Sequence, residues 1–309
     1  MLNVLEIVLP VFLIICLGYA IRKLGLVGRN FFSEVNKLVY YICLPLLLIY
    51  KIAGADFSSS FNFKLVMATS GGVACCFGIT YLYGKWRSFP APVHGSFCQG
   101  SFRGNLAYIG LAIVFNAYGD IGLTRAGILL GFLVPVLNFF AILALVLPQQ
   151  QQRTSFGEII RLIVSNPLIL ASLVGLLWSF LQLPMPVILD RTLNIATGMT
   201  LPLALLSIGG SFSLASFKGD IPKAALATAM KLLFMPLITA VFMLLLNISG
   251  LDFAIGLLMA GAPTAVATYI MACQMGADGD LAGTIVMMAT AFSSITYAVL
   301  LFCLQLYGI

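Results

Sequence analysis

Gln99-Gly-Ser-Phe-Arg-Gly-Asn-Leu-Ala-Tyr-Ile-Gly110 decides how the chain is read. It lies within an apolar segment from Pro92 to Asn116, long enough for a bilayer crossing, which takes ~20 mostly apolar residues. Arg103 stands near its middle. An arginine at the bilayer centre costs ~2.5–3.5 kcal/mol on insertion scales and therefore marks function or a dedicated partner. Gly100 and Gly104 weaken the helix around it, and Gln99, Ser101 and Asn105 bring polar groups to the same depth. Backbone that leaves the helix inside a membrane persists only within protein or along a wet cavity. The stretch predicts an interrupted helix and half of a binding site for a small anion.

The surrounding chain fits that depth. Of 309 residues, 61% are hydrophobic and 8% charged, with a mean hydropathy of +1.09; a soluble domain carries about 25% charge. An all-α integral membrane protein is expected, because apolar runs near twenty residues suit helices and not barrel strands of about ten. The net charge of +6 does not point to nucleic acid, since the basic residues sit in short loops. Seven cysteines lie in apolar segments without metal spacing and are expected to be buried thiols. One histidine and no hydrolase or phosphate-loop motif leave no cofactor, metal or catalytic site expected. The first apolar run has no basic residue before it and continues into a full span, so no cleavable signal is expected.

The length allows about ten membrane helices. Their approximate bounds are Val4–Ile21, Glu34–Tyr50, Phe63–Gly84, Pro92–Asn116, Thr124–Leu147, Glu158–Leu181, Val187–Phe212, Pro222–Leu246, Leu251–Gln274 and Leu281–Tyr307. A polar, Gln-rich linker at 148–157 separates 1–147 from 158–309. These halves are related. Pro10 and Pro167, Gly18 and Gly175, and Leu44-Pro45 and Leu201-Pro202 all differ by 157 positions; Tyr108-Ile109 and Tyr269-Ile270 continue the match at 161. The fourth span therefore has its partner in the ninth, where Pro263 forces a break. Five spans per repeat is odd, so the second repeat must be inverted. Inverted repeats with discontinuous helices at matching places indicate a secondary transporter with a mid-membrane site.

Lys and Arg favour one face (Arg22, Lys23, Arg29, Lys37, Lys85, Arg87, Arg153, Arg161, Lys218, Lys223) over the other (Lys51, Lys64, Arg125, Arg191). The positive-inside rule then places the linker in the cytoplasm and both termini outside it, in a cell (inner) membrane.

Leu38-Val-Tyr-Tyr-Ile-Cys-Leu-Pro-Leu-Leu-Leu48, Phe102-Arg-Gly-Asn-Leu-Ala-Tyr-Ile-Gly110 and the Pro263 break, in that order, resemble the auxin efflux carrier family over essentially the whole chain. That family includes plant PIN-type carriers and bacterial organic-acid permeases of the malonate and malate type. The resemblance implies a ten-helix inverted-repeat fold shared with bile-acid symporters and sodium/proton antiporters, helices four and nine crossing, and a homodimer. The long cytosolic loop of many plant members is absent here, so regulation through that loop does not carry over.

Arg103 heads the candidate substrate contacts, because its planar fork matches a carboxylate; the alternative is a snorkelling or structurally paired arginine. Asn105 either contacts substrate or caps the second half-helix, whose free N–H groups and dipole favour an anion. Gln99 and Ser101 join the set, with interhelical glue as the competing role. Gly104, Pro263 and Thr264 lie at the breaks, while Thr268, Tyr108 and Tyr269 read as packing. Pro45, Pro202 and Gly100 are supporting helix breaks, and Lys231 is a second candidate charge or a snorkelling side chain. All ten acidic residues fall in loops or near span ends, so proton or sodium coupling has no evident carboxylate at mid-membrane. The sequence thus predicts a secondary active or potential-driven transporter of a small organic anion, such as a carboxylate, dicarboxylate or auxin-like acid, working by alternating access. A membrane sensor or lipid-binding regulator on the same fold is the alternative.

Overall fold

The computed structural model describes residues 4–55, 61–149, 157, 165–211 and 219–308. Most of the 148–157 linker and the start of the sixth expected span lie outside the described residues. Among the described residues the chain is helical and contains no strand. Seven helices are long and apolar enough to cross a membrane, and Pro167–Phe180 and Gly250–Ala260 are shorter apolar helices.

Local chemistry sets several helix starts. Asn166 caps Pro167–Phe180 by accepting from the Leu168 N–H, and Pro167 occupies a position where no donor is needed. Asp220 caps Ile221–Ala229 and Asp278 caps Gly279–Leu306 in the same way. The long helix Leu111–Val146 is broken at Gly119, whose φ of 60° and ψ of −150° suit only glycine.

The chain divides into two compact units, each drawing on both halves of the sequence. One consists of Met1–Asn62, Ala107–Val134 and Val164–Phe212. Helix–helix association in lipid depends on close packing of small residues more than on apolar burial, and glycines make this unit. A Cβ on Gly18 would lie 2.2 Å from the Leu206 carbonyl oxygen, and one on Gly175 would lie 3.3 Å from that of Ile49. Gly18 and Gly175, like Ile49 and Leu206, stand 157 positions apart, so the two contacts are mates under the sequence relation. Gly131 similarly packs on Ser172. Pro45 begins helix Leu44–Ala53 directly after a π-turn at Val39–Cys43, and Pro202 sits in the first turn of Thr200–Ser211. The Thr200 hydroxyl donates to the Cys43 carbonyl at 3.2 Å.

The other unit consists of Phe63–Leu106, Pro135–Ile163 and Ser213–Ile309. Its apolar centre is Phe97, Ala224, Ala227, Leu281 and Ile285. His94 is buried here, stacked on the Tyr81 ring and bonded through Nε2 to the Tyr81 carbonyl at 2.9 Å. The cysteines depart from expectation. Cys43, Cys76 and Cys98 are buried, but Cys16, Cys273 and Cys303 are exposed on helices. An apolar segment in a membrane protein offers one face to lipid, so an apolar setting in sequence does not imply burial.

Candidate functional site

The site forms in the second unit, where two helices stop and their open ends meet. Helix Ala91–Phe102 ends because Arg103 leaves helical geometry, with φ −75° and ψ 94°. Gly104 follows, with no side chain; a Cβ there would meet Leu106 Cδ2 at 3.1 Å, Lys231 Cε at 3.3 Å and the Ala262 carbonyl oxygen at 3.4 Å. On the other segment, helix Gly250–Ala260 ends before Pro263, which has no N–H to continue it. Helix Val266–Gln274 begins beyond. The two open stretches run antiparallel and bridge Gly104 to Thr264. The Asn105 N–H donates to the Pro263 carbonyl at 2.7 Å, and the Ala265 N–H to the Arg103 carbonyl at 2.9 Å. Each break thus satisfies backbone groups of the other, as non-helical chain in a dry environment requires.

Side chains cap the carbonyls left at the ends of the first half-helices. Thr264 Oγ1 donates to Gly100 O at 2.8 Å, and Cys76 Sγ to Ser101 O at 3.4 Å. Lys231 Nζ donates to Ala260 O at 2.6 Å from a π-turn spanning Met230–Phe234. Thr264 is therefore committed to the joint. Thr264→Val, which keeps the shape and removes the donor, is expected to cost about 1–3 kcal/mol by orphaning the Gly100 carbonyl. Thr264→Ser should stay near wild type in melting temperature, and equal melting of the two variants would count against the capping role.

The remaining candidates separate by their surroundings. Arg103 is half-buried; its Nη2 donates to Asn138 Oδ1 at 2.9 Å, and its Nη1 points at Met271 Sδ. Gln99 is fully buried, with Nε2 3.6 Å from the same sulfur and Oε1 without a partner. The buried Thr268 hydroxyl is also unpartnered. Asn105 uses its backbone in the joint, while its carboxamide makes no hydrogen bond among the described residues. Ser101 bonds to Phe97 O within its own helix at 2.7 Å. Gly100 differs from expectation: it stays helical, and a Cβ there would lie 2.8 Å from Ile285 Cδ1, so its smallness serves packing. Tyr108 donates to Asn36 Oδ1 at 2.7 Å in the first unit, and Tyr269 is exposed. Sequence reasoning passed over Asn138, Met271 and Cys76. Asn138 carried a signal, as a lone amide in an apolar run; a methionine and a cysteine in such a run carry none.

Comparison with known proteins gives a consistent set. The family model described as "Membrane transport protein" matches residues 3–301. An "Uncharacterized transporter" of Methanothermobacter thermautotrophicus is 25% identical over 94% of this chain and 95% of its own. A "Putative malonate transporter" of Rhizobium meliloti is 22% identical over 99% of this chain and 97% of its own.

Proposed function

Because this chain belongs to the membrane transport protein family of auxin efflux carrier type, we propose that it carries a small organic anion across the membrane by alternating access, with the crossed breaks as its binding site. The observation that carries the reading is Arg103 at the opened joint, a permanent cation with Asn138 and Met271 among its neighbours. The Asn105 carboxamide and the unpartnered oxygens of Gln99 and Thr268 supply polar groups close by. A carboxylate arriving at Arg103 gains a charge-assisted fork. The name of the Rhizobium meliloti relative makes malonate the first substrate to try.

In this reading 1–147 and 158–309 are two inverted five-helix repeats, with both termini outside the cytoplasm. The 157-position mates around Gly18 and Gly175 support the repeat. So do the reciprocal bonds at the crossing, where Arg103 and Pro263, and Asn105 and Ala265, each stand 160 positions apart. The test is uptake of radiolabelled malonate and a panel of mono- and dicarboxylates into proteoliposomes. Saturable flux above that of empty vesicles is expected. Carboxylate binding without flux would replace the carrier by a membrane regulator on the same fold.

A further inference from the structure

Lys231 is not explained by anion binding at Arg103. It is 1% exposed, in the interior of an apolar helix. Its π-turn, a feature common at functional sites, carries it to the crossing. There its Cε lies against Gly104, 3.3 Å from where a Cβ would be, and its Nζ bonds to the carbonyl that ends helix Gly250–Ala260. Among the described residues its one hydrogen-bond partner is that carbonyl, and no carboxylate pairs with it. An ammonium has three donors, and here one acceptor is provided.

The end of the other half-helix sharpens the point. There the Gly100 and Ser101 carbonyls are reached by Thr264 and Cys76, whereas the Ala260 carbonyl is reached by Lys231. One end is capped by neutral donors, the other by a cation. A helix C-terminus is the negative end of its dipole and attracts positive charge. Lys231 therefore supplies the positive charge at this helix end, fixed to the chain and able to be lost only as a proton. Arg103 cannot serve that purpose, because a guanidinium keeps its proton.

We infer that Lys231 is the proton-coupling group of this carrier, its ammonium being the resident cation of the crossing and its deprotonation the charge change that links transport to pH. The step is an N–H cleavage: the ammonium gives its proton to water on the side to which the site opens, leaving a neutral amine, and regains one from the opposite side with the next anion. The anion and proton then travel together, and no inorganic cation is needed. The titratable and charged groups on the surrounding helices are these. Cys76 is buried on Phe63–Trp86 and Cys98 on Ala91–Phe102, which ends at Arg103. His94 is held at the Tyr81 carbonyl, Asp252 lies in the first turn of its helix and Asp280 in the first turn of another, and Tyr297 is buried on Gly279–Leu306.

The inference rests on the carrier reading, and its test has one arm that does not. Wild type, Lys231→Arg and Lys231→Met are purified and their melting temperatures followed from mildly acidic to alkaline pH. Wild type should show a pH-dependent component that both variants lack, because the linkage belongs to this one group. Superimposable pH profiles would overturn the proposal whether or not any substrate moves. In vesicles with malonate and the membrane potential clamped at zero, one proton per anion makes equilibrium accumulation rise about tenfold for each pH unit by which the outside is more acidic. Lys231→Arg should abolish that dependence. Unchanged pH-driven accumulation in the variant, or a sodium requirement in wild type, would also overturn it; absence of carboxylate flux in wild type would instead sink the carrier reading.

Discussion

Arg103→Ala will lower the initial rate of carboxylate uptake by about two orders of magnitude, with the protein still folded. A hydrogen bond to a charged group contributes about 1.5–3 kcal/mol, and a bidentate fork makes two of them. Losing the lower end of that total, about 3 kcal/mol, already slows transport about a hundredfold at ~1.4 kcal/mol per decade. Arg103→Lys keeps the charge, loses the fork and should fall between the two. The same residue braces Asn138 and Met271, so a purely structural arginine is the competing account. Melting curves separate them. A structural role predicts a lower melting temperature in Arg103→Ala; a substrate role predicts slow uptake at wild-type melting. Wild-type uptake by Arg103→Ala would remove Arg103 from the mechanism.

Gly209→Ala should be the most destabilising small substitution in the first unit. Its new Cβ would stand 1.8 Å from the Ile15 carbonyl oxygen and 2.7 Å from the Ile15 carbonyl carbon. Those are main-chain atoms of helix Val4–Lys23, which cannot rotate aside as a side chain does. Overpacking costs about 1–3 kcal/mol and occasionally more, and a backbone collision belongs at the upper end. Gly78→Ala is the control. Nothing lies within 4 Å of its missing Cβ, so alanine should be neutral or add up to ~1 kcal/mol through helix propensity. Equal melting temperatures for the two variants would show that the helices can shift to admit the methyl group.

The break positions were legible because their causes are local. Pro263 lacks a donor wherever it stands, and Arg103 beside Gly104 in an apolar run is costly unless the surroundings compensate. Gly100 shows the limit. A glycine that opens a helix and one that admits an Ile285 side chain look alike in sequence, and only the neighbouring helix tells them apart. Lys231 shows another. The choice between snorkelling and burial depended on a π-turn that rotates the residue inward, and no residue type announces one. The pairing of the breaks was expected from the family resemblance, yet its reciprocal amide–carbonyl bonding has no side-chain signature.

The joint between Gly104 and Thr264 is fastened by main-chain amides and carbonyls, one of the carbonyls being proline's own. Changes to the groups around it can alter what is selected without dismantling the fastening. Main-chain fastening leaves the side chains around such a junction free to vary at little risk to the frame.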